Sequence, residues 1–121
     1  MKRVEAIIRP GKLRDVREAL VERGVEGFTF SEVDGVGRGT GHIESFRGAV
    51  YQIDHQPMVK LEVVVRDEHA LTTAYAISDV ARMDNSGDEK VVIVPVDEIV
   101  RIRTDERGAA AVGRIPSRPV A

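Results

Sequence analysis

The chain has 121 residues, 18 Lys and Arg against 20 Asp and Glu, a formal net charge of −2, no Cys and no Trp. That length fits one domain of ordinary size, which buries roughly two-thirds of its unfolded surface and folds without staples. Zero Cys excludes a disulfide framework, thiolate metal sites, iron–sulfur clusters and a Cys nucleophile, while near-neutral charge and 4% aromatic content speak against a nucleic-acid binder.

No apolar run approaches the ~20 residues of a membrane span. Met1-Lys2-Arg3-Val4-Glu5 lacks the apolar stretch of a signal peptide, so the expectation is a soluble cytoplasmic domain.

Residues 2–9 read as a strand: Val4, Ala6 and Ile8 alternate with Arg3, Glu5 and Ile7, and Pro10 ends the run. Over residues 12–23 the period becomes helical, with Leu13, Val16 and Leu20 on one face and Gly24 as a stop. A second strand is expected at about 27–33, where Phe28 and Phe30 point one way and Thr29 and Ser31 the other. Residues 59–65 form the clearest strand, Val59, Leu61, Val63 and Val65 alternating with Lys60, Glu62 and Val64. A second helix is expected over about 68–81, with Leu71, Ala74, Ile77 and Ala81 on its buried stripe. A fourth strand covers residues 90–94 and ends at Pro95, and residues 100–103 offer a short final strand.

The order β-α-β-β-α-β predicts an α+β fold of the ferredoxin-like, split βαβ kind, a four-stranded antiparallel sheet with both helices on one face. The other sheet face is left bare, and oligomerisation is the usual way to cover such a face. Two stretches fall outside this frame. The connection over residues 34–57 is far longer than the roughly 2–5 residues of a hairpin loop. It holds Gly35, Gly37, Gly39, Gly41 and Gly48. Residues 105–121, rich in Gly, Ala and Pro, are expected to form a flexible C-terminal tail beyond a domain at 1–104.

Three segments carry candidate anion chemistry. Gly35-Val36-Gly37-Arg38-Gly39-Thr40-Gly41 is neither a dinucleotide fingerprint nor a P-loop; it is either a flexible hairpin tip or a loop whose N–H groups approach an anion with help from Arg38. Ser86-Gly87-Asp88-Glu89-Lys90 is either a polar turn or an anion nest with Lys90 reaching a phosphate. Arg101-Ile102-Arg103, if extended, sets two guanidinium forks on one side about 7 Å apart, suited to a polyphosphate, or is a solvated edge strand. His42, Glu44, Asp54 and His55 lack rigid metal-ligand spacing, and nothing nominates a nucleophile or base, so no metal site and no enzymatic activity are expected.

Together these pieces resemble the PII nitrogen-regulatory family. The resemblance runs over about residues 1–104. It rests on Ala6-Ile7-Ile8-Arg9-Pro10 with Lys12-Leu13, on Val16-Arg17-Glu18-Ala19-Leu20, and on Gly35-Val36-Gly37-Arg38. Gly41-His42, Arg47-Gly48-Ala49 with Tyr51, Val59-Lys60-Leu61-Glu62, Gly87-Asp88 with Lys90, and Arg101-Ile102-Arg103 complete it. It implies a non-enzymatic signalling homotrimer that binds an adenine nucleotide (ADP, AMP or ATP) in clefts between subunits. A T-loop at about 35–57 would dock onto a membrane transporter or a metabolic enzyme, and a B-loop would lie at about 82–90. By resemblance Gly37, Arg38, Gly87, Asp88, Lys90, Arg101 and Arg103 hold phosphates. Thr29 and the backbone near Ile7, Gly35, Val36 and Val64 surround adenine and ribose. Tyr51 stands at the position that some members modify with a nucleotide.

The chain also departs from the family pattern. Asp84 and Glu89 add negative charge to the B-loop. Gly39 stands where 2-oxoglutarate-sensing members carry a Gln that meets Mg²⁺ and the oxo acid, and Met58 where they carry a Lys. These departures speak against 2-oxoglutarate sensing, leave Mg²⁺ open, and admit bicarbonate or another anion as effector. The alternatives on the same fold are a CutA-like metal-binding trimer and a small phosphatase or nucleotide hydrolase.

Overall fold

The computed structural model describes residues 1–36, 42–46, 48–53, 55–83 and 89–113. The alternating run at the start forms β1 (Lys2–Ile8), and a single 3-10 turn opened by Pro10 leads into α1 (Leu13–Glu22). Pro10 costs nothing there, because the first N–H of a helical turn has no partner inside it. Gly24 closes α1 at φ +84°, where its own N–H donates to the Val21 carbonyl at 2.9 Å and the Val25 N–H to the Leu20 carbonyl at 3.0 Å. That pair of bonds is the Schellman arrangement, which requires a left-handed residue and so favours glycine.

The chain continues through β2 (Thr29–Gly35), β3 (His42–Phe46), β4 (Ala49–Ile53), β5 (Gln56–Val65), α2 (Ala70–Ala81) and β6 (Lys90–Pro95). The main sheet has the order β2-β5-β1-β6 and is antiparallel throughout. Its register sets Ala6 opposite Leu61 on one side and Val91 on the other. Val4, Ala6 and Ile8 therefore share a face with Val59, Leu61, Val63 and Val65. Val16 and Leu20 of α1 and Ala70, Ala74, Ile77 and Ala81 of α2 close the core over that face. This is the expected ferredoxin-like arrangement. The opposite face carries Arg3, Glu5, Ile7, Lys60, Glu62 and Val64, all partly exposed. Arg3 bonds Glu5 at 2.6 Å and Lys60 lies 3.3 Å from Glu62, so ion pairs run along this face.

Four expectations are corrected or extended. Leu71 is 59% exposed, whereas Ala70, Thr73, Ala74, Ile77 and Ala81 are buried. Ala74, Ile77 and Ala81 lie on the buried stripe as expected, and its first turn is filled by Ala70 and Thr73 in place of Leu71. The stretch between β2 and β5 is structured in part: β3 and β4 pair from His42↔Ile53 to Phe46↔Ala49, with Gly48 at φ +77° in the turn. Residues 100–103 add no strand to the sheet. Val100 makes a single bridge with Arg107, and the chain reverses at 102–104 with Ile102 fully exposed. The reversal is held by the Asp105 N–H on the Arg101 carbonyl at 2.8 Å and the Arg101 N–H on the Glu106 carbonyl at 2.9 Å. Beyond Asp105, a 3-10 turn at Gly108–Ala111 packs down, burying Ala111 and Val112. Residues 114–121 lie outside the described residues.

Among the described residues no helix is long and apolar enough to cross a membrane. The amine of Met1 lies 2.6 Å from Asp67 Oδ1, and this hydrogen bond is the main reason the Asp67 carboxyl sits below its ordinary range.

Candidate functional site

Strand ends define the site. β1 stops at Ile8, β2 stops at Gly35 opposite Gln56, and β6 starts at Lys90 opposite Ile7. The three ends converge at one edge of the open sheet face and enclose a cavity of about 280 Å³ lined by Ile7, Arg9, Gly35, Val36, Met58, Glu89 and Lys90. Gly35 allows its floor to close: a Cβ there would sit 3.0 Å from Cγ of Met58, which is only 2% exposed. Arg9 Nε donates to Glu89 Oε1 at 2.6 Å, with the two side chains 24% and 13% exposed. Lys90 is exposed beside this pair. Asp34, on the same wall, lies 3.4 Å from His55 Nδ1.

A second cavity of about 480 Å³ opens at the other end of the same sheet face. Thr29 starts β2 opposite Glu62, and Val64 of β5 lies opposite Arg3. Those four residues line it together with Phe28 and Arg101. Arg101 reaches the rim because the turn after β6 brings the chain back, and its Nε donates to the Ala111 carbonyl at 3.0 Å. The C-terminal segment thus positions a guanidinium over the start of β2.

The structure therefore sorts the predicted residues into two sets. Ile7, Gly35, Val36 and Lys90 line the first cavity; Thr29, Val64 and Arg101 line the second. Thr29 and Gly35 are the two ends of β2, so the sets stand about 20 Å apart at 3.3 Å per residue. Arg103 is exposed in the turn after Arg101 and lines neither cavity. Tyr51 lies in β4 opposite Glu44. Gly37, Arg38, Gly39, Asp84, Gly87 and Asp88 lie outside the described residues.

Sequence reasoning missed Arg9 as a cavity residue and Arg3 and Glu62 as neighbours of Thr29 and Val64. Antiparallel register was the available signal: once Ile7 pairs with Lys90, Arg9 falls beside the segment entering β6. A third cavity, about 470 Å³, lies between α2 and β6 and is walled by Leu71, Tyr75, Met83 and Ile93. Placing Leu71 on the buried stripe concealed it, since Leu71 faces this cavity instead.

The chain matches the family model described as Nitrogen regulatory protein P-II over residues 1–106. It is 47% identical to the Nitrogen regulatory protein P-II of Azospirillum brasilense and 48% identical to that of Cereibacter sphaeroides. It is 46% identical to the Nitrogen regulatory protein P-II 1 of Escherichia coli strain K12. Each of these matches spans 112 residues, 93% of this chain and the whole length of the relative. The matched region carries the ferredoxin-like core, all of the first cavity, most of the second and the hairpin between β2 and β5, and the chain belongs to the PII nitrogen regulatory family of signal-transduction proteins.

Proposed function

We propose that this PII protein is a cytoplasmic homotrimer that binds an adenine nucleotide where two copies meet, and that bound nucleotide controls how the segment between β2 and β5 docks onto a transporter or metabolic enzyme. The observation that carries this reading is the separation of the two residue sets. Ile7, Gly35, Val36 and Lys90 lie at one end of the open sheet face and Thr29, Val64 and Arg101 at the other. Within one chain the two sets stand about 20 Å apart, so neither set alone surrounds both the base and the phosphates. A cyclic arrangement sets the first end of one copy against the second end of the next, which completes a cleft and covers the bare face.

In such a cleft Lys90 and Arg101 bring positive charge from different copies to the phosphates, while Thr29 and Val64 offer a mixed polar and apolar wall to the base. Gly37, Arg38, Gly87, Asp88 and Arg103 are assigned to the phosphates by family resemblance. β2 ends at Gly35 and the β3–β4 hairpin begins at His42, so the cavity at Gly35 lies where the segment proposed to dock leaves the main sheet. Nucleotide then shifts the loop population by binding one conformation more tightly than another. Met58 is buried against Gly35 and presents no cation to an oxo acid, which supports a sensor of nucleotide with bicarbonate or another anion rather than 2-oxoglutarate. The protein acts by binding rather than by catalysis.

Calorimetry with ATP, ADP and AMP, each with and without 2-oxoglutarate or bicarbonate, tests this reading alongside native mass spectrometry. Trimer mass and saturable heat with at least one nucleotide are expected. No heat with any nucleotide overturns it, and phosphate release well above background favours the hydrolase alternative.

A further inference from the structure

We propose that Glu89 is a specificity-determining residue that disfavours the more highly charged phosphate ligands, because its carboxylate occupies Arg9 as an internal anion. The inference rests on the nucleotide reading above and goes beyond it, by naming the residue that ranks the ligands.

The geometry is specific. Glu89 Oε1 accepts from Arg9 Nε at 2.6 Å, a short charge-assisted bond. Both side chains are mostly shielded from water, so the charge of Glu89 is felt more strongly than that of a surface carboxylate. Both line the cavity that also holds Gly35, Val36 and Lys90. Among the described residues the cavity is lined by two cations, Arg9 and Lys90, and two carboxylates, Asp34 beside His55 and Glu89 bonded to Arg9. A phosphate that approaches Lys90 meets the carboxylate of the adjacent residue. It either leaves Arg9 with Glu89 and bears the repulsion, or takes over Arg9 at the loss of the charge-assisted Arg9–Glu89 bond.

Either outcome costs more as ligand charge grows. Each added phosphate group brings further negative charge toward the shielded carboxylate of Glu89, whose own charge stays the same. Glu89 thereby lowers affinity for a nucleoside triphosphate most, for a diphosphate less and for a monophosphate least. The graded dependence separates this role from a purely structural one, which alters all three ligands alike.

The test is calorimetry of the full chain with AMP, ADP and ATP at one fixed salt concentration and without divalent metal, comparing wild type with Glu89→Gln. The amide keeps the shape and an acceptor for Arg9 but removes the charge. ATP binding is expected to tighten by roughly tenfold, ADP binding by a few-fold, and AMP binding by less than about twofold. Arg9→Gln is expected to act in the opposite direction, weakening ATP more than AMP. Thermal unfolding checks each variant, and Glu89→Ser replaces Glu89→Gln if the latter does not fold. Wild type that binds nucleotide, with affinity ratios unchanged in the Glu89 variant, overturns the role of Glu89 alone. Wild type that binds none of the three overturns the nucleotide reading and this inference together.

Discussion

Arg9 and Glu89 are 80 residues apart in sequence and joined by a 2.6 Å hydrogen-bonded ion pair in the fold. Arg9 follows β1 and Glu89 precedes β6, so the pair ties the ends of two neighbouring strands at the edge of the first cavity. Both groups are largely shielded, so removing one costs the other a short charge-assisted bond. Arg9→Gln is expected to lower stability by about 1–3 kcal/mol, read from the midpoint of urea unfolding at constant slope. A double-mutant cycle with Glu89→Gln isolates the coupling, and a coupling near zero contradicts a structural pair.

The position of the α2 stripe makes a contrast between neighbours in one helix. Ile77 is fully buried and Leu71 is 59% exposed. Ile77→Ala is expected to cost about 2–5 kcal/mol by transfer and cavity terms, and Leu71→Ala no more than about 0.5 kcal/mol. Equal losses in the two variants contradict the observed orientation of α2.

Gly35 and Met58 make a contact that a methyl group would crowd. A Cβ on Gly35 lies 3.0 Å from Met58 Cγ, and Met58 has little room to yield because it is buried. Gly35→Ala is expected to lower stability by about 1–2 kcal/mol, and Met58→Ala in the same chain to relieve part of the added strain. Thermal unfolding of the single and double variants checks this; strictly additive losses exclude the contact as the cause.

Asp67 supplies a pH dependence with a definite sign. Its folded pKa is depressed, chiefly by the hydrogen bond from the Met1 amine. Stability from this pair is fully present above the unfolded carboxylate value of about 3.9 and is lost as pH falls through the lower folded value. Asp67→Asn is expected to flatten the acid limb of the stability curve, measured by urea unfolding between about pH 5 and pH 2.5. An unchanged acid limb excludes the pair as a contributor.

The main sheet was legible because its buried strands obey a strict two-residue period. Val4, Ala6 and Ile8, and Val59, Leu61, Val63 and Val65, are buried at every second position, and α1 follows a proline turn and ends against Gly24. Segments whose structure depends on distant partners were not. The β3–β4 pair is hidden by glycines that read as loop, and its strands are only five residues each. The stretch after Asp105 has no amphipathic period, yet Ala111 and Val112 are buried, since two small apolar residues suffice when the surface they cover is already built. Arg101 and Arg103 looked like one face of a strand. The turn at 102–104 sends Arg101 to the second cavity and leaves Arg103 in the exposed loop. That two sets of site residues lie at opposite ends of the sheet follows from register, which no single segment encodes. Glu89 was legible as an added charge; its attachment to Arg9 was not, because the partner lies 80 residues away, just past the end of β1.

Complementation between two defective chains tests most directly the claim that one cleft draws on two copies. Lys90→Ala and Arg101→Ala are each expected to weaken nucleotide binding by about 1.5–3 kcal/mol, the loss of one charged hydrogen bond. Unfolding and refolding the two variants together in equal amounts yields mixed trimers. If Lys90 and Arg101 of one cleft come from neighbouring copies, about a quarter of the clefts in a random mixture pair an intact Lys90 with an intact Arg101. Calorimetry of the mixture is then expected to show a class of sites with wild-type affinity that neither variant has alone. A mixture that binds no better than the average of its two components contradicts the shared cleft.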